Sequence, residues 1–117
     1  MKNNSNIDKD IKLLEYGLNG EKEIEYELKN ANIGMFVIHD LNIVFEDLTS
    51  QIDYVIVTKA YTYLVECKNM IGNITINEHG EFKREYTYNN EKIVEGIYSP
   101  FRQALRHKEI LKKIWLN

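Results

Sequence analysis

Three ionisable side chains, Asp53, Glu66 and Lys68, lie within the two most apolar segments of the chain. Burying an unpaired charge in such a segment costs on the order of several kcal/mol, so each of them needs a partner ion, an opposite charge or water. Side chains alternate along a β-strand, which places Glu66 and Lys68 on one face about 7 Å apart. These charges are therefore the first candidates for a chemical role.

Two neighbouring carboxylates suit a hard divalent cation, which accepts carboxylate, carbonyl and water oxygens. Asp53, Glu66 and the backbone carbonyl of Cys67 could supply such a set. Lys68 could then orient a metal-bound water or stabilise charge that develops on a phosphate. A structural ion pair of Lys68 with Glu66 or Asp53 is the alternative that the residues alone leave open.

The two ends of the chain have the apolar spacing of helices. Apolar residues recur near the 3.6-residue period over residues 7–31 and again over residues 99–116. Gly17 and Gly20 interrupt the first pattern, which predicts one helix that ends near Gly17 and a second that begins near Gly20. Ser99, followed by proline, is a typical N-cap for the last helix.

Residues 34–95, between these helices, have the composition of a β-sheet. The strongest strands, Gln51–Thr58 and Thr62–Lys68, are apolar on both faces, as is typical of central strands. Only three residues separate them, so we expect an antiparallel hairpin whose register puts Asp53 opposite Glu66 to within a residue or two. The other predicted strands are Met35–His39, Asn42–Phe45 after a turn at Asp40, Gly72–Asn77, Glu81–Thr87 and Lys92–Glu95.

The composition predicts one globular domain of residues 1–117. The chain is 44% hydrophobic and 28% charged, which excludes disordered and fibrous classes. No apolar run approaches the roughly 20 residues of a membrane span, and the N-terminus lacks a signal-peptide pattern. Cys67, the single cysteine, cannot form an internal disulfide. We expect a cytoplasmic protein with no membrane partner, and a mixed α/β fold whose sheet has an antiparallel start.

The net charge of −3 conceals an uneven distribution. Residues 1–60 carry −5, whereas the segment from Ser99 onward has five Lys or Arg against one Glu. A helical projection puts basic residues on one side of this segment, and such a stripe would attract phosphates without reading sequence. A solvated face of an amphipathic helix is the alternative. The basic side comprises Arg102, Arg106 and Lys113, with Gln103 and His107 on a flank and Phe101, Ala104, Leu105, Leu111 and Trp115 on an apolar arc.

Four sequence blocks follow each other in chain order: Gly17–Glu21 (GxxGE), Gln51–Val57 (a Q-I-D strand), Val65–Asn69 followed by Gly72 (E-x-K-N), and Ser99–Gln103 (proline-x-x-glutamine). Together they resemble the nuclease-related domain (NERD) family, within the restriction-endonuclease-like PD-(D/E)xK superfamily. Ile52 stands where the generic superfamily motif has proline, as is usual in this family, and Cys67 replaces a more usual aliphatic residue. The resemblance covers about residues 17–115.

The resemblance implies a restriction-endonuclease-like sheet and a nuclease that cleaves DNA with magnesium or manganese through a metal-activated water, as an endo- or exonuclease. Asp53 and Glu66 would be metal ligands and Lys68 the catalytic lysine. Glu21 would be a further acid at the site, and Gln103 would line it. With the basic stripe of the last helix, the expected DNA contacts are Arg102, Arg106, Lys113 and His107.

Two other functions remain open. A non-catalytic nucleic-acid-binding or interaction module of the same fold would bind DNA in a salt-sensitive manner without cleaving it. A structural or oligomerising domain would use the strand charges only as ion pairs. Besides DNA, the expected partners are further domains of a longer chain or a second copy of this chain.

Overall fold

The structure, a computed structural model, describes residues 4–116 and divides into two compact units. The first, here the α1 unit, combines the chain up to residue 28 with residues 67–99, and the second, the α2 unit, combines residues 29–66 with the chain from residue 100 onward. No helix among residues 4–116 has the length and apolar character needed to cross a bilayer. The elements are α1 (Asn4–Asn30), β1 (Met35–Phe45), β2 (Leu48–Thr58), β3 (Thr62–Val65), β4 (Asn73–Ile76), β5 (Phe82–Tyr88), β6 (Glu91–Ile97) and α2 (Pro100–Trp115).

The order of a long helix, antiparallel strands and a final helix confirms the predicted α/β class. The strands of the predicted sheet region form two three-stranded antiparallel sheets, with orders β1-β2-β3 and β4-β5-β6. The sheets are divided between the two units, since residues 29–66 and 67–99 belong to different ones. The predicted helix over 99–116 is confirmed as α2.

The N-terminal segment forms one continuous helix, so the prediction of a break between Gly17 and Gly20 is wrong. A glycine inside a helix costs roughly 0.5–1 kcal/mol relative to alanine, which is why the pattern suggested an end. At Gly20 a packing constraint outweighs this cost, because an added Cβ would lie 2.6 Å from the Cβ of Asn69. The glycine allows the chain after β3 to approach the helix.

Strands β4 and β5 form the predicted second hairpin, and β6 pairs antiparallel with β5. Gly72 precedes this sheet with a φ of +86°, and an added Cβ would lie 2.2 Å from the carbonyl oxygen of Glu85. Both the backbone conformation and the close approach therefore require glycine at this position.

An ion pair between Arg84 and Glu95 links β5 and β6. Arg84 lies directly opposite Glu95 in the register, and its Nη2 and Nε are 2.7 and 2.8 Å from Glu95 Oε1. Tyr86 donates its hydroxyl to the same oxygen at 2.9 Å. Burial raises the pKa of the Glu95 carboxyl, but the hydrogen bonds from Tyr86 and Arg84 outweigh it and the net pKa is below its usual value.

In the α2 unit, β1 is one strand of 11 residues, so the turn predicted at Asp40 is wrong. The hairpin turn between β1 and β2 lies at Glu46 and Asp47 instead. The sequence signal at Asp40 has a physical basis, because this residue has a φ of +55° inside the strand. An aspartate tolerates that conformation better than the β-branched residues around it.

Strand β2 is the middle strand of its sheet, as predicted, and pairs antiparallel with β3. Strand β3 is shorter than predicted and ends at Val65. It lies at an edge of the described sheet, so the expectation of a central position for it is wrong. Glu66 and Lys68 therefore follow the strand instead of lying within it.

Helix α2 packs against the β1-β2-β3 sheet through a core of Ile52, Val55 and Leu111. The helix buries His107, Ile110 and Leu111, so its buried face is rotated from the predicted apolar arc. A polar ring tolerates burial when its hydrogen-bonding atoms have partners, as those of His107 do. The arc residues left exposed by this rotation are Phe101, Leu105 and Trp115.

Candidate functional site

The two predicted metal-ligating acids lie at the end of the β2–β3 ladder, Asp53 within β2 and Glu66 directly after β3. Tyr54 pairs with Val65 at the end of β3, and one further step of this antiparallel register puts Asp53 opposite Glu66. Continued by this one step, the register is the one that the sequence predicts, and it brings the backbones of Asp53 and Glu66 next to each other.

Burial strengthens the electrostatic repulsion between the Asp53 and Glu66 carboxylates. The Glu66 side chain is only 6% exposed and Asp53 is half-buried. Two carboxylates in such surroundings repel each other more strongly than in water, and a cation between them relieves the repulsion. The pair therefore favours the binding of a positively charged group.

A buried histidine holds one oxygen of the pair. His107 Nε2 lies 3.3 Å from Glu66 Oε2, and Nδ1 of the same ring is hydrogen-bonded to the Ser50 hydroxyl. A carboxylate only accepts, so Nε2–H donates to Glu66 and, in the neutral ring, Nδ1 accepts from Ser50. The Glu66 carboxylate thus favours the tautomer with the proton on Nε2, and the imidazole, which also contacts the Ser50 hydroxyl, fixes the direction of that carboxylate.

Sequence reasoning did not find this chain of Ser50, His107 and Glu66. It placed His107 on a flank that contacts DNA, whereas the structure buries the ring to 5% exposure and engages both of its nitrogens. One available signal was the spacing of Gln103 and His107, which puts them on one helix face a turn apart. Because Gln103 belongs to a motif, its neighbour on that face was a candidate for the same site.

The same three residue types form the nucleophilic triad of serine hydrolases. In that triad the serine contacts Nε2 of the histidine and the acid contacts Nδ1. Here the contacts are reversed, because Ser50 is at Nδ1 and Glu66 is at Nε2 of His107. The arrangement is therefore suited to holding Glu66 and not to activating Ser50.

The glutamine of the Q-I-D block supports the strand beside Asp53. Gln51 Nε2 donates to Asp40 Oδ1 at 2.5 Å. In the β1–β2 register, His39 pairs with Tyr54 and Leu41 pairs with Ile52. Asp40, between them, therefore lies opposite Asp53. The amide thus joins β2 to β1 next to the site.

Two of the motif blocks contact each other within the α1 unit. Asn69 packs over Gly20, and its Nδ2 donates to the Tyr16 carbonyl oxygen at 2.8 Å. The immediate neighbours of these residues are Glu21, which is half-buried on α1, and Lys68, which is exposed. The GxxGE and E-x-K-N blocks therefore form one local structure that carries a predicted acid and the predicted catalytic lysine. Cys67 lies in the same unit, just after Glu66.

The predicted DNA-binding residues other than His107 lie on the outside of α2. Arg102, Arg106 and Lys113 are exposed, and Gln103 is half-buried. The Nη2 atom of Arg106 is 3.5 Å from the carbonyl oxygen of Thr49. This contact holds one arginine of the stripe beside the segment of β2 that precedes Ser50.

The donor chemistry of the pair fits a magnesium-type cation. Mg²⁺ is usually bound through one or two carboxylates, with waters and substrate phosphates as its other ligands. Asp53 and Glu66 supply two carboxylates, and the carbonyl of Cys67 follows in the chain. Within residues 4–116, no group of three or more His, Cys, Asp or Glu side chains is arranged to hold a metal. Two carboxylates are the number that a partly hydrated magnesium ion uses.

Comparison with known proteins identifies the family. The family model described as nuclease-related domain (NERD) matches residues 16–117. No curated protein and no solved structure matches the chain. The family match includes the carboxylate pair, the Gly20–Asn69 contact and the whole of α2. The chain therefore belongs to the nuclease-related domain family.

Proposed function

We propose that this chain is a metal-dependent nuclease that hydrolyses phosphodiester bonds in DNA. The proposal is carried by the β2–β3 register, which one step beyond the Tyr54–Val65 pair puts Asp53 next to Glu66, and by the buried Glu66 carboxylate that His107 holds. The family match supports a nuclease-related function in general.

Asp53, Glu66 and the Cys67 carbonyl would hold Mg²⁺ or Mn²⁺. When bound, the ion stabilises charge on the phosphate and lowers the pKa of water. His107 keeps one oxygen of Glu66 in a fixed direction, and the hydrogen bond between Ser50 and Nδ1 keeps the imidazole ring in place. This preorganisation reduces the conformational cost of binding the ion.

The remaining residues act on the water and the phosphate. Lys68, the catalytic lysine, donates hydrogen bonds from its ammonium group to the attacking water or to a non-bridging phosphate oxygen. Glu21 would accept a hydrogen bond from the water and Gln103 would donate its side-chain amide to the phosphate, the roles that their motif positions imply. The exposed stripe of Arg102, Arg106 and Lys113 binds the DNA backbone, which provides affinity without sequence selectivity.

A second candidate is a non-catalytic DNA-binding module of the same fold. The observation that favours it is that, among the residues the structure describes, no third acid, histidine or cysteine completes a metal-ligating group. This module would bind DNA through the α2 stripe with strong salt dependence and would cleave nothing.

A cleavage assay distinguishes the two functions. Supercoiled, linear and single-stranded DNA are each incubated with the protein in Mg²⁺ and in EDTA, and the products are resolved by electrophoresis. We expect cleavage only with Mg²⁺, and a loss of about 100-fold or more in Lys68→Ala. The matched control is Lys59→Ala, which removes an equal charge from the exposed turn after β2. Equal cleavage by Lys68→Ala and the unsubstituted protein would contradict the mechanism, and DNA binding without cleavage would support the second candidate.

A further inference from the structure

A groove of about 610 Å³ lies within the α2 unit, between β3 and one side of α2. It is separate from the Arg102, Arg106 and Lys113 stripe, whose residues do not line it. The side chains on which its chemistry depends are Tyr63, Phe101, Leu105, Lys108, Lys112 and Trp115.

The aromatic side chains of the groove are unusually exposed. The exposed fractions are 49% for Tyr63, 69% for Phe101 and 67% for Trp115. This follows from the orientation of α2, which turns His107 toward the sheet and leaves part of its apolar arc outside. Exposed aromatic surface that is grouped in one place is typical of a binding site.

The charges of the groove have one sign. Lys108 and Lys112 are the charged residues that line it, and no acid does. Lys112 is 3.7 Å from the exposed Glu109, a contact that is weak because water screens it. A groove with aromatic faces and ammonium groups complements a ligand with planar bases and phosphates.

Single-stranded nucleic acid has this combination, since its bases stack on aromatic side chains while its backbone follows positive charge. In a duplex the base faces are stacked on each other and cannot reach Tyr63 or Trp115. An uncharged lipid or an apolar peptide would use the aromatic surface but would leave the two lysines without a role.

The groove also lies close to Glu66 along the chain. Leu64 of β3 lines the groove, and Glu66 follows two residues later, which is about 7 Å along an extended chain. A strand bound along β3 would therefore reach Asp53 and Glu66 from this direction.

We propose that this groove binds single-stranded DNA and directs it to the Asp53–Glu66 pair; the second half of this statement rests on the proposed nuclease function. The groove would provide affinity through base stacking, whereas the arginine stripe contacts phosphates. The preferred substrate would then be single-stranded DNA or a duplex with a single-stranded end.

The test is fluorescence anisotropy with a labelled, unstructured deoxyoligonucleotide of about 12 nucleotides. The protein carries Asp53→Asn in every sample and EDTA is present, so that binding is measured without cleavage. We expect Trp115→Ala to weaken binding about tenfold, which corresponds to ~1.4 kcal/mol. The control is Phe36→Ala, which removes a 79% exposed aromatic from β1, at the other edge of the sheet, and should change the affinity less than twofold.

A second pair of variants tests whether the positive charge of Lys108 contributes to DNA binding. Lys108→Gln should weaken binding and reduce the slope of log K against log salt by about one. Lys83→Gln makes the same change of charge on an exposed residue of β5 and should leave both quantities unchanged.

Several results would overturn the proposal. These are the absence of binding at low salt, equal affinity of Trp115→Ala and its parent, equal competition by a duplex of the same length, and tighter binding of the corresponding RNA. Size-exclusion chromatography adds one more: a dimer that Trp115→Ala dissociates, with DNA affinity unchanged, would make the groove a contact between copies. Mg²⁺-dependent cleavage by the unsubstituted protein is measured separately, so the nuclease function can stand if the groove proposal fails, and the reverse.

Discussion

Two acids, Glu66 in the α2 unit and Glu95 in the α1 unit, differ in the residue next to them on the neighbouring strand. Glu95 lies opposite Arg84 and accepts hydrogen bonds from that guanidinium and from Tyr86. Glu66 lies one register step beyond the Tyr54–Val65 pair, next to another acid, Asp53, and accepts a hydrogen bond from His107. An acid next to a cation stabilises the fold, whereas two neighbouring acids have the donor chemistry of a cation site.

The two acids also differ in burial. The Glu66 side chain is 6% exposed, whereas the Glu95 side chain is 33% exposed. Burying a carboxylate costs free energy unless other groups stabilise it, and His107 supplies one such hydrogen bond to Glu66. We propose a catalytic role for the Asp53–Glu66 pair and a structural role for the Glu95 cluster.

The largest expected effect is on catalysis. Asp53→Asn removes one charge of the pair and keeps the size of the side chain, and we expect cleavage of DNA to fall by about 100-fold or more, or ~2.7 kcal/mol in the barrier. Glu95→Gln makes the same chemical change in the other unit and should leave the cleavage rate within about twofold. Cleavage rates measured side by side at saturating Mg²⁺ check both. A loss of cleavage in Glu95→Gln at a temperature where the variant remains folded would contradict a purely structural role for Glu95.

The next effect is on stability. Glu95→Gln keeps the shape of the side chain but removes the charge held by Arg84 and Tyr86, and we expect the free energy of unfolding to fall by about 1–2 kcal/mol. This range is reduced for the partial exposure of Glu95, where water screens the interaction. Urea unfolding measures it, with the exposed Glu91→Gln on β6 as the control. No difference between the two variants would show that the Glu95 cluster is not structural.

Gly20→Ala tests how the helix supports the chain after Glu66 without altering either carboxylate. The added methyl group would collide with the Asn69 side chain, and we expect a loss of about 1–2 kcal/mol in unfolding free energy. At Gly17 nothing lies within 4 Å of an added Cβ, so Gly17→Ala should stabilise the helix by about 0.5–1 kcal/mol. Thermal unfolding of the two variants compares them. Equal effects would mean that Gly20 has no packing role.

Gly20 also shows which structural features local sequence patterns cannot predict. Local pattern predicted the β2–β3 hairpin and the Asp53–Glu66 register, because a short connection and strand alternation fix both. It could not predict that Gly20 makes room for Asn69, which lies 49 residues further along the chain. The carbonyl that Asn69 contacts, that of Tyr16, is 53 residues away.

The hydrogen-bond partners of His107 could not be predicted from the sequence for the same reason. Ser50 is 57 residues away and Glu66 is 41 residues away from His107. Helix periodicity contains no information on such distant contacts, so it predicted a buried arc that did not include His107. The α/β class and the bounds of α2 follow from local signals, whereas the orientation of α2 depends on a long-range polar contact. The end of β3 at Val65 likewise follows from its surroundings and not from strand propensity.

His107→Gln should separate positioning from catalysis. The glutamine can still donate a hydrogen bond but lacks the rigid ring held by Ser50, and we expect the Mg²⁺ concentration for half-maximal cleavage to rise about tenfold with a smaller change in the maximal rate. Ser50→Ala should produce the same shift to a smaller degree. Thr49→Ala, an exposed neighbour on β2, is the control. A loss of maximal rate at unchanged metal dependence would contradict a positioning role.

The smallest expected effect is the pH dependence of stability in the α1 unit. The pKa of Glu95 is lowered in the folded state, so its stabilising contribution is present above the ordinary value of 4.5 and is lost as the pH falls through the lowered pKa. The stability difference between the unsubstituted protein and Glu95→Gln should therefore be constant near neutral pH and narrow in acid. Urea unfolding between pH 7 and about pH 3 measures it. A difference that widens in acid would contradict the lowered pKa.

The most direct test of the central claim is a calorimetric titration of the folded protein with Mn²⁺. The carboxylate pair predicts one binding site that Asp53→Asn abolishes and Glu95→Gln leaves unchanged. The absence of binding to the unsubstituted protein, with its fold verified by circular dichroism, would contradict the claim and make the two acids part of a structural ion pair.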